Sequence, residues 1–331
     1  MCTETFSYLA SDQLYAGALH IFTAFEVPVH LFGAYIIIFK TPDKMKSVRT
    51  SMLSLHLVGA FVDFFTSFLT APVLILPVCA GYPLGVLGML GIPTSVQTYF
   101  GLSFLAVLAS AVILFFEERY HKLANVQRSS GRKSFSRKCY AIGHYMFAML
   151  FISPCYFNIP DQEIEKLTIN ERIPCLPEEI LSRTGFFILS IENREMYISL
   201  ALLISVLVPE VLFFVLSIFW HLFNIKSQSR ATNRLQKQLF FAMCLQVYIP
   251  FMVVTIPAAY CISSIVFGHY NQAATNLAMS SIAVHGILLT ITMLIVHAPY
   301  RQAVLEIICN RSKMATINNP QIWKTVNETK L

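Results

Sequence analysis

Charge is what this sequence has least of. Asp, Glu, Lys and Arg make up only 13% of its 331 residues, against about 25% in ordinary soluble domains. Hydrophobic residues reach 56%, so a soluble globular protein is not the expected class. Metal and redox signatures are also missing. The eight cysteines, at 2, 79, 139, 155, 175, 244, 261 and 309, form no CxxC and no Cys/His metal spacing. No nucleophile, base and metal set converges, so neither an enzyme nor a cofactor is expected. There is no internal repeat of the kind transporters often carry. Residues 1–13 lack Lys and Arg, and the first apolar run is too long for a signal-peptide core, so it is expected to stay as a helix.

What the chain does have is long uncharged stretches. Residues 92–116 carry no charge and end abruptly in Glu117, Glu118, Arg119 and Tyr120. A helical bilayer crossing needs about 20 consecutive apolar residues. Seven stretches qualify as expected spans: 14–39, 51–76, 92–116, 139–157, 196–223, 239–267 and 273–297. The fourth is the shortest. Each span must satisfy its own backbone hydrogen bonds in lipid, so each is expected to be helical. The prolines at 72, 209, 250 and 257 then predict kinks in spans two, five and six, with cavities between the helices. The fold expected is an all-α membrane protein, a seven-helix bundle.

Lys and Arg set the orientation. Of the 24 such residues, 20 fall in 40–50, 117–138, 224–238 and the tail after 298. The other four lie in the long loop 158–195, which also carries eight acids. The side richer in Lys and Arg is cytoplasmic. The N-terminus is therefore expected outside and the C-terminus inside. This divides the chain into an extracellular tail (1–13), a seven-helix domain with its interfacial helix (14–310) and a cytoplasmic tail (311–331). The net charge of +6 follows from this topology and does not point to nucleic acid. The basic loops suit anionic lipid headgroups. Sequons at Asn310 and Asn327 fall on the cytosolic side and should stay unglycosylated.

Several residues suggest chemistry. Arg119 at a helix end either snorkels to the interface or is held by an adjacent Glu in one state and released in another. Pro299, Tyr300 and Arg301 close span seven. A short amphipathic helix with Val304, Leu305, Ile307 and Ile308 follows, suited to the interface. Cys309 at its end is either palmitoylated or a free thiol. Glu26, Asp63 and Glu210 are acids within expected membrane and should face the interior. Gln97, Thr98, Tyr197, Tyr260 and Asn276 lie in the outer thirds of the helices, where aromatic walls with a few polar groups suit a small organic ligand. Each taken singly also reads as ordinary helix packing. The acidic loop either steers cationic ligands or is simply solvated.

These residues carry a family resemblance. Glu118-Arg119-Tyr120 resembles the Asp/Glu-Arg-Tyr motif of rhodopsin-like receptors. Phe116-Glu117-Glu118-Arg119-Tyr120 stands after span three, and Gln246, Ile249-Pro250-Phe251 and Ile256-Pro257 stand in span six. His285-Gly286 lies in span seven, with Pro299-Tyr300-Arg301 at its end, and Asp63 is followed by Pro72 and Pro77. In order and placement these motifs resemble those of nematode serpentine chemoreceptors of class H, over about 14–310. The resemblance implies a G-protein-coupled receptor fold, a small environmental ligand, a heterotrimeric G protein as partner, and a plasma-membrane location in chemosensory neurons or their cilia. It also implies a Cys79–Cys175 bridge, as in many seven-helix receptors. At Asp63 two readings stay open: a bound sodium ion, or hydrogen bonds to neighbouring helices. Span seven lacks Asn-Pro-x-x-Tyr, so the rhodopsin activation mechanism does not carry over in detail. The rival readings are a ligand-gated channel, which the charge count opposes, and a transporter.

Overall fold

A computed structural model describes residues 8–124, 131–173, 176–191, 194–224 and 230–309. Among these, six helical stretches are long and apolar enough to cross a bilayer: Asp12–Lys40, Val48–Thr70, Thr94–Leu123, Arg194–Asn224, Asn233–Phe267 and Gln272–Val296. The seventh crossing, Phe135–Phe157, qualifies only together with Gln162–Ile169, to which it is bent by 84°. Its polar start, in a helix beginning GRKSFSRK, leaves it the least apolar of the set.

In chain order the elements are α1 (Asp12–Lys40), α2 (Lys46–Phe64), β1 (Pro72–Ile75), β2 (Cys79–Pro83), α3 (Val86–Met89), α4 (Thr94–Ala124), α5 (Gly131–Leu150), α6 (Pro154–Phe157), α7 (Gln162–Arg172) and α8 (Glu178–Leu181). Then follow β3 (Phe187–Ser190), α9 (Arg194–Asn224), α10 (Arg230–Phe267), α11 (Gln272–Ala283), α12 (His285–Val296) and α13 (Ala298–Cys309). The starts of α1, α7 and α11 are capped by short polar side chains. Ser11 Oγ accepts from the Leu14 N–H at 3.3 Å, and Asn271 Oδ1 from the Ala274 N–H at 3.0 Å.

The bundle packs α1 on α2, α2 on α4, α4 on α5 and α9, α10 on α12, and α12 back on α1. Its core joins Ile36, Met52, Ile113, Phe115, Ile218, Phe240, Met293 and Tyr300. Large apolar side chains such as Phe25, Leu31, Phe213, Leu216 and Phe251 face outward. That surface would be ruinous in water but is ordinary against lipid tails.

Three features differ from the expectation. The second span ends at Thr70, not near 76. Ala71 is left-handed (φ 39°) and Pro72 opens a strand, so Pro72 kinks no helix. Residues 77–91 are more than a turn: β1 and β2 form an antiparallel hairpin with Val73 opposite Tyr82, and β3 from the long loop adds to β2 with Ala80 opposite Ile188. The bundle thus carries a three-stranded cap. The third span runs on as α4 to Ala124, because charges end a lipid crossing without ending a helix. Pro209 and the pair Pro250 and Pro257 lie inside the continuous helices α9 and α10.

Candidate functional site

Three polar sites lie along the bundle: one in its centre, one at the end of α4, and one beneath the hairpin. The central site grows from Asp63, which is fully buried. Just beyond it the helix widens into a π turn, Phe65–Thr70, a distortion often found at functional positions. Opposite, the α11–α12 helix breaks at Val284. The break turns the Gly286 N–H to Asp63 Oδ1 (3.2 Å), and the His285 Nδ1 lies 2.9 Å from the same oxygen. A Cβ on Gly286 would stand 2.2 Å from Asp63 Oδ2, so only glycine admits the carboxylate.

His30 of α1 approaches the other oxygen, with Nε2 3.2 Å from Oδ2. Its Nδ1 is 3.0 Å from Thr290 Oγ1, and His56 Nδ1 is 3.3 Å from that hydroxyl. His56 Nε2 donates to the His30 carbonyl at 2.9 Å. Thr290 has one proton and lies between two ring nitrogens, so one ring donates to it and the other accepts. His56 already donates at Nε2, and the ring facing the carboxylate is His30. With His56 Nδ1 accepting from Thr290, His30 Nδ1 donates to that hydroxyl and its Nε2 faces Asp63 Oδ2. Glu26 extends the network: its Oε2 accepts from Ser67 Oγ at 2.7 Å, and Ser67 in turn accepts from Thr23 Oγ1 at 2.9 Å. Glu26 Oε1 and His285 Nε2 have no partner. The groups that reach Asp63 are thus nitrogens of His30, His285 and Gly286.

At the end of α4, Glu117 and not Glu118 is the hub. Both its oxygens accept from Arg137 of α5, at 2.8 and 2.9 Å, and His121 Nε2 is 3.1 Å away. Glu118 pairs with Lys122 one turn on. Residues four apart share a helix face, whereas adjacent residues diverge, so Glu118 does not hold Arg119 in this structure. Arg119 is only 6% exposed, and its Nε and Nη2 have no hydrogen-bond partner. Tyr120 packs on Phe214 of α9. Nearby, Glu210 of α9 is paired to α5, with Tyr140 Oη donating at 2.5 Å and His144 Nε2 at 2.9 Å.

The end of α12 is tied inward. His297 Nε2 lies 2.9 Å from Gln246 Oε1 of α10, and the Tyr300 hydroxyl, fully buried, lies 2.9 Å from Thr41 Oγ1. Pro299 sits in the first turn of α13, and Arg301 donates to the Ile295 carbonyl at 3.0 Å. On α13, Ala303 packs on the core while Leu305, Ile307 and Ile308 face outward.

At the hairpin end the expected ligand residues are scattered. Gln97 donates to the Ile92 carbonyl at 2.8 Å, and Thr98 bonds within α4. Tyr197 is exposed, and Tyr260 donates to the Asn271 carbonyl at 3.3 Å. Asn276 is buried, accepting from Gln272 at 2.8 Å and donating to the Leu9 carbonyl at 3.3 Å. A cleft of about 930 Å³ opens instead between the start of α1, β2, α8 and the start of α11. None of those five residues lines it, though Gln272 does. Cys79 stands in β2, its thiol pushed up to about 12 by burial. Cys175, its expected partner, lies outside the described residues, and the side chain of Cys309 does too.

Sequence reasoning missed His56, Ser67, Thr290, Glu117 with Arg137, and the cleft. A signal did exist for part of the centre. His30 follows Glu26 by one helical turn and His56 precedes Asp63 by two, so each pair shares a face.

Six crossings and a bent seventh around a buried polar centre, with a strand cap at one end, define a seven-helix membrane protein. Residues 10–310 match the family described as serpentine type 7TM GPCR chemoreceptor Srh, and the chain belongs to that family. A relative, serpentine receptor class H-72 of Caenorhabditis elegans, is 28% identical over 304 residues, covering 91% of this chain and 87% of the relative.

Proposed function

We propose that this receptor binds a small environmental molecule at its hairpin end and activates a heterotrimeric G protein at its Arg119 end. In this reading the hairpin end faces outward from the plasma membrane of a chemosensory cell, as the distribution of Lys and Arg supports. One observation carries it: Arg119 is buried with two guanidinium nitrogens unpartnered. An orphaned buried donor is costly, and a partner chain that offers backbone carbonyls or a carboxylate would relieve it. Ligand binding then acts by favouring the state of the bundle in which that end is open. The π turn and the Val284 break, which flank Asp63, are the elements able to adopt two packings. The outward apolar face of α13 would rest on lipid.

The experiment is a G-protein activation reporter in cells expressing the wild type or Arg119→Ala, exposed to a broad panel of volatile and water-soluble compounds. A response lost in the variant at equal surface expression is the expected result. A ligand-evoked current that survives both the substitution and G-protein blockade would make the protein a channel.

A further inference from the structure

We infer that the cleft beneath the hairpin is a binding site for a small organic cation, an alkylammonium or diammonium compound. The assignment rests on the receptor reading above, because it needs that end to face the outside. The cleft holds about 930 Å³, enough for a small organic molecule. Leu84 and Ile180 supply apolar wall, and the charged lining is unbalanced: Asp12, Glu178 and Glu179 against Arg183. Arg183 is committed to Asp12, with Nη2 3.1 Å from Oδ2, and Tyr82 Oη donates to Oδ1 at 2.7 Å. Among the described residues no cation pairs with Glu178 or Glu179, so two negative charges stand at the rim uncompensated.

Gln272 is the independent observation. It is 9% exposed and forms part of the wall. Both hydrogens of its amide are used, one to the Leu74 carbonyl at 3.1 Å and one to Asn276 Oδ1 at 2.8 Å. That fixes which way the amide points, and its Oε1 is left without a donor. The lining thus carries a net negative charge and, in Gln272 Oε1, a buried acceptor without a donor, which suits N⁺–H groups. A cleft lined by one sign of charge also concentrates counter-ions of the other. Two separate rim carboxylates favour a dication over a monocation.

The test uses full-length receptor in lipid nanodiscs and isothermal titration with 1,4-diaminobutane, butylamine and 1,4-butanediol. The expected order of affinity is diaminobutane, then butylamine, with no binding of the diol. The double variant E178Q/E179Q, altered only at exposed side chains, should melt like wild type and weaken diaminobutane by about tenfold, or 1.4 kcal/mol. Raised salt should weaken it too. Equal affinity for diol and diamine, no diamine binding at millimolar concentration, or unchanged affinity in the double variant would each overturn the site. Diamine binding without G-protein activation would count against the receptor mechanism and leave the site standing. Activation by an uncharged compound, with no diamine binding, would do the reverse.

Discussion

Asp63 and Arg119 are both buried charges in one helix bundle, and they are built in opposite ways. Asp63 is met on both oxygens, by His30, His285 and the Gly286 N–H. Those partners come from α1 and α12, so the carboxylate joins three helices. Arg119 has an acid on the preceding residue, yet Glu118 is taken by Lys122, and two guanidinium nitrogens stay unpaired. Removing one member of a satisfied buried pair strands the others, whereas removing an unsatisfied one strands nothing. In the function proposed above, the first site serves folding and the second meets a partner chain.

The largest effect should follow from breaking the satisfied centre. Gly286→Ala places a Cβ 2.2 Å from Asp63 Oδ2, so the carboxylate must shift against its partners. Folded receptor at the cell surface should be nearly abolished. Asp63→Ala should cost about 3–5 kcal/mol, the usual penalty for orphaning a buried ion partner, read as a lower melting temperature in detergent. Wild-type melting for both variants would show that the centre is not a structural keystone.

Arg119→Met sharpens the contrast. It keeps much of the volume and removes two orphaned donors, so the melting temperature should hold or rise, by up to about 1–3 kcal/mol. G-protein signalling should be lost in the same protein. If Arg119→Met destabilised as Asp63→Ala does, the two sites would be alike and the comparison would collapse. Glu117→Gln sits between them. It weakens the fork to Arg137 across α4 and α5, but Arg137 is 39% exposed and screened by solvent, so the expected loss is about 1 kcal/mol or less.

How far the sequence revealed these sites follows from the range of the interactions. The seven crossings were legible because lipid imposes length and apolarity on each stretch independently. Asp63 was legible as a lone charge within such a stretch and Arg119 as part of the charged cluster that ends one. Their partners were not, since His30, His285 and Thr290 reach the centre from other helices far away in sequence. The hairpin escaped for a different reason. Its strands are only four and five residues long and contain Pro and Gly, so they read as a turn, and β3 arrives from more than 100 residues later. Two elements lay across the expected boundaries: Pro72, which opens a strand, and α4, which continues past its last lipid-facing turn.

Tyr300 carries the smallest of these effects, and its size decides whether the helix ends around α13 are locked by polar contacts or by packing. Thr41 Oγ1 directs its own proton to the Ile37 carbonyl at 2.5 Å, and the Tyr300 hydroxyl is a donor shared between Thr41 Oγ1 at 2.9 Å and Met52 Sδ at 3.7 Å. Tyr300→Phe removes that donor but keeps the ring, which is fully buried against the core. Thr41 is only half-buried, so water can replace the lost hydroxyl, and the net cost should be about 1 kcal/mol or less. Tyr300→Ala, by contrast, empties a core position and should cost about 3–5 kcal/mol, as large aromatic truncations do. A small loss for Phe and a large one for Ala would assign the α1–α13 junction to packing. Equal losses would assign it to the hydroxyl, and would make the Thr41–Tyr300 bond a second satisfied polar joint alongside Asp63.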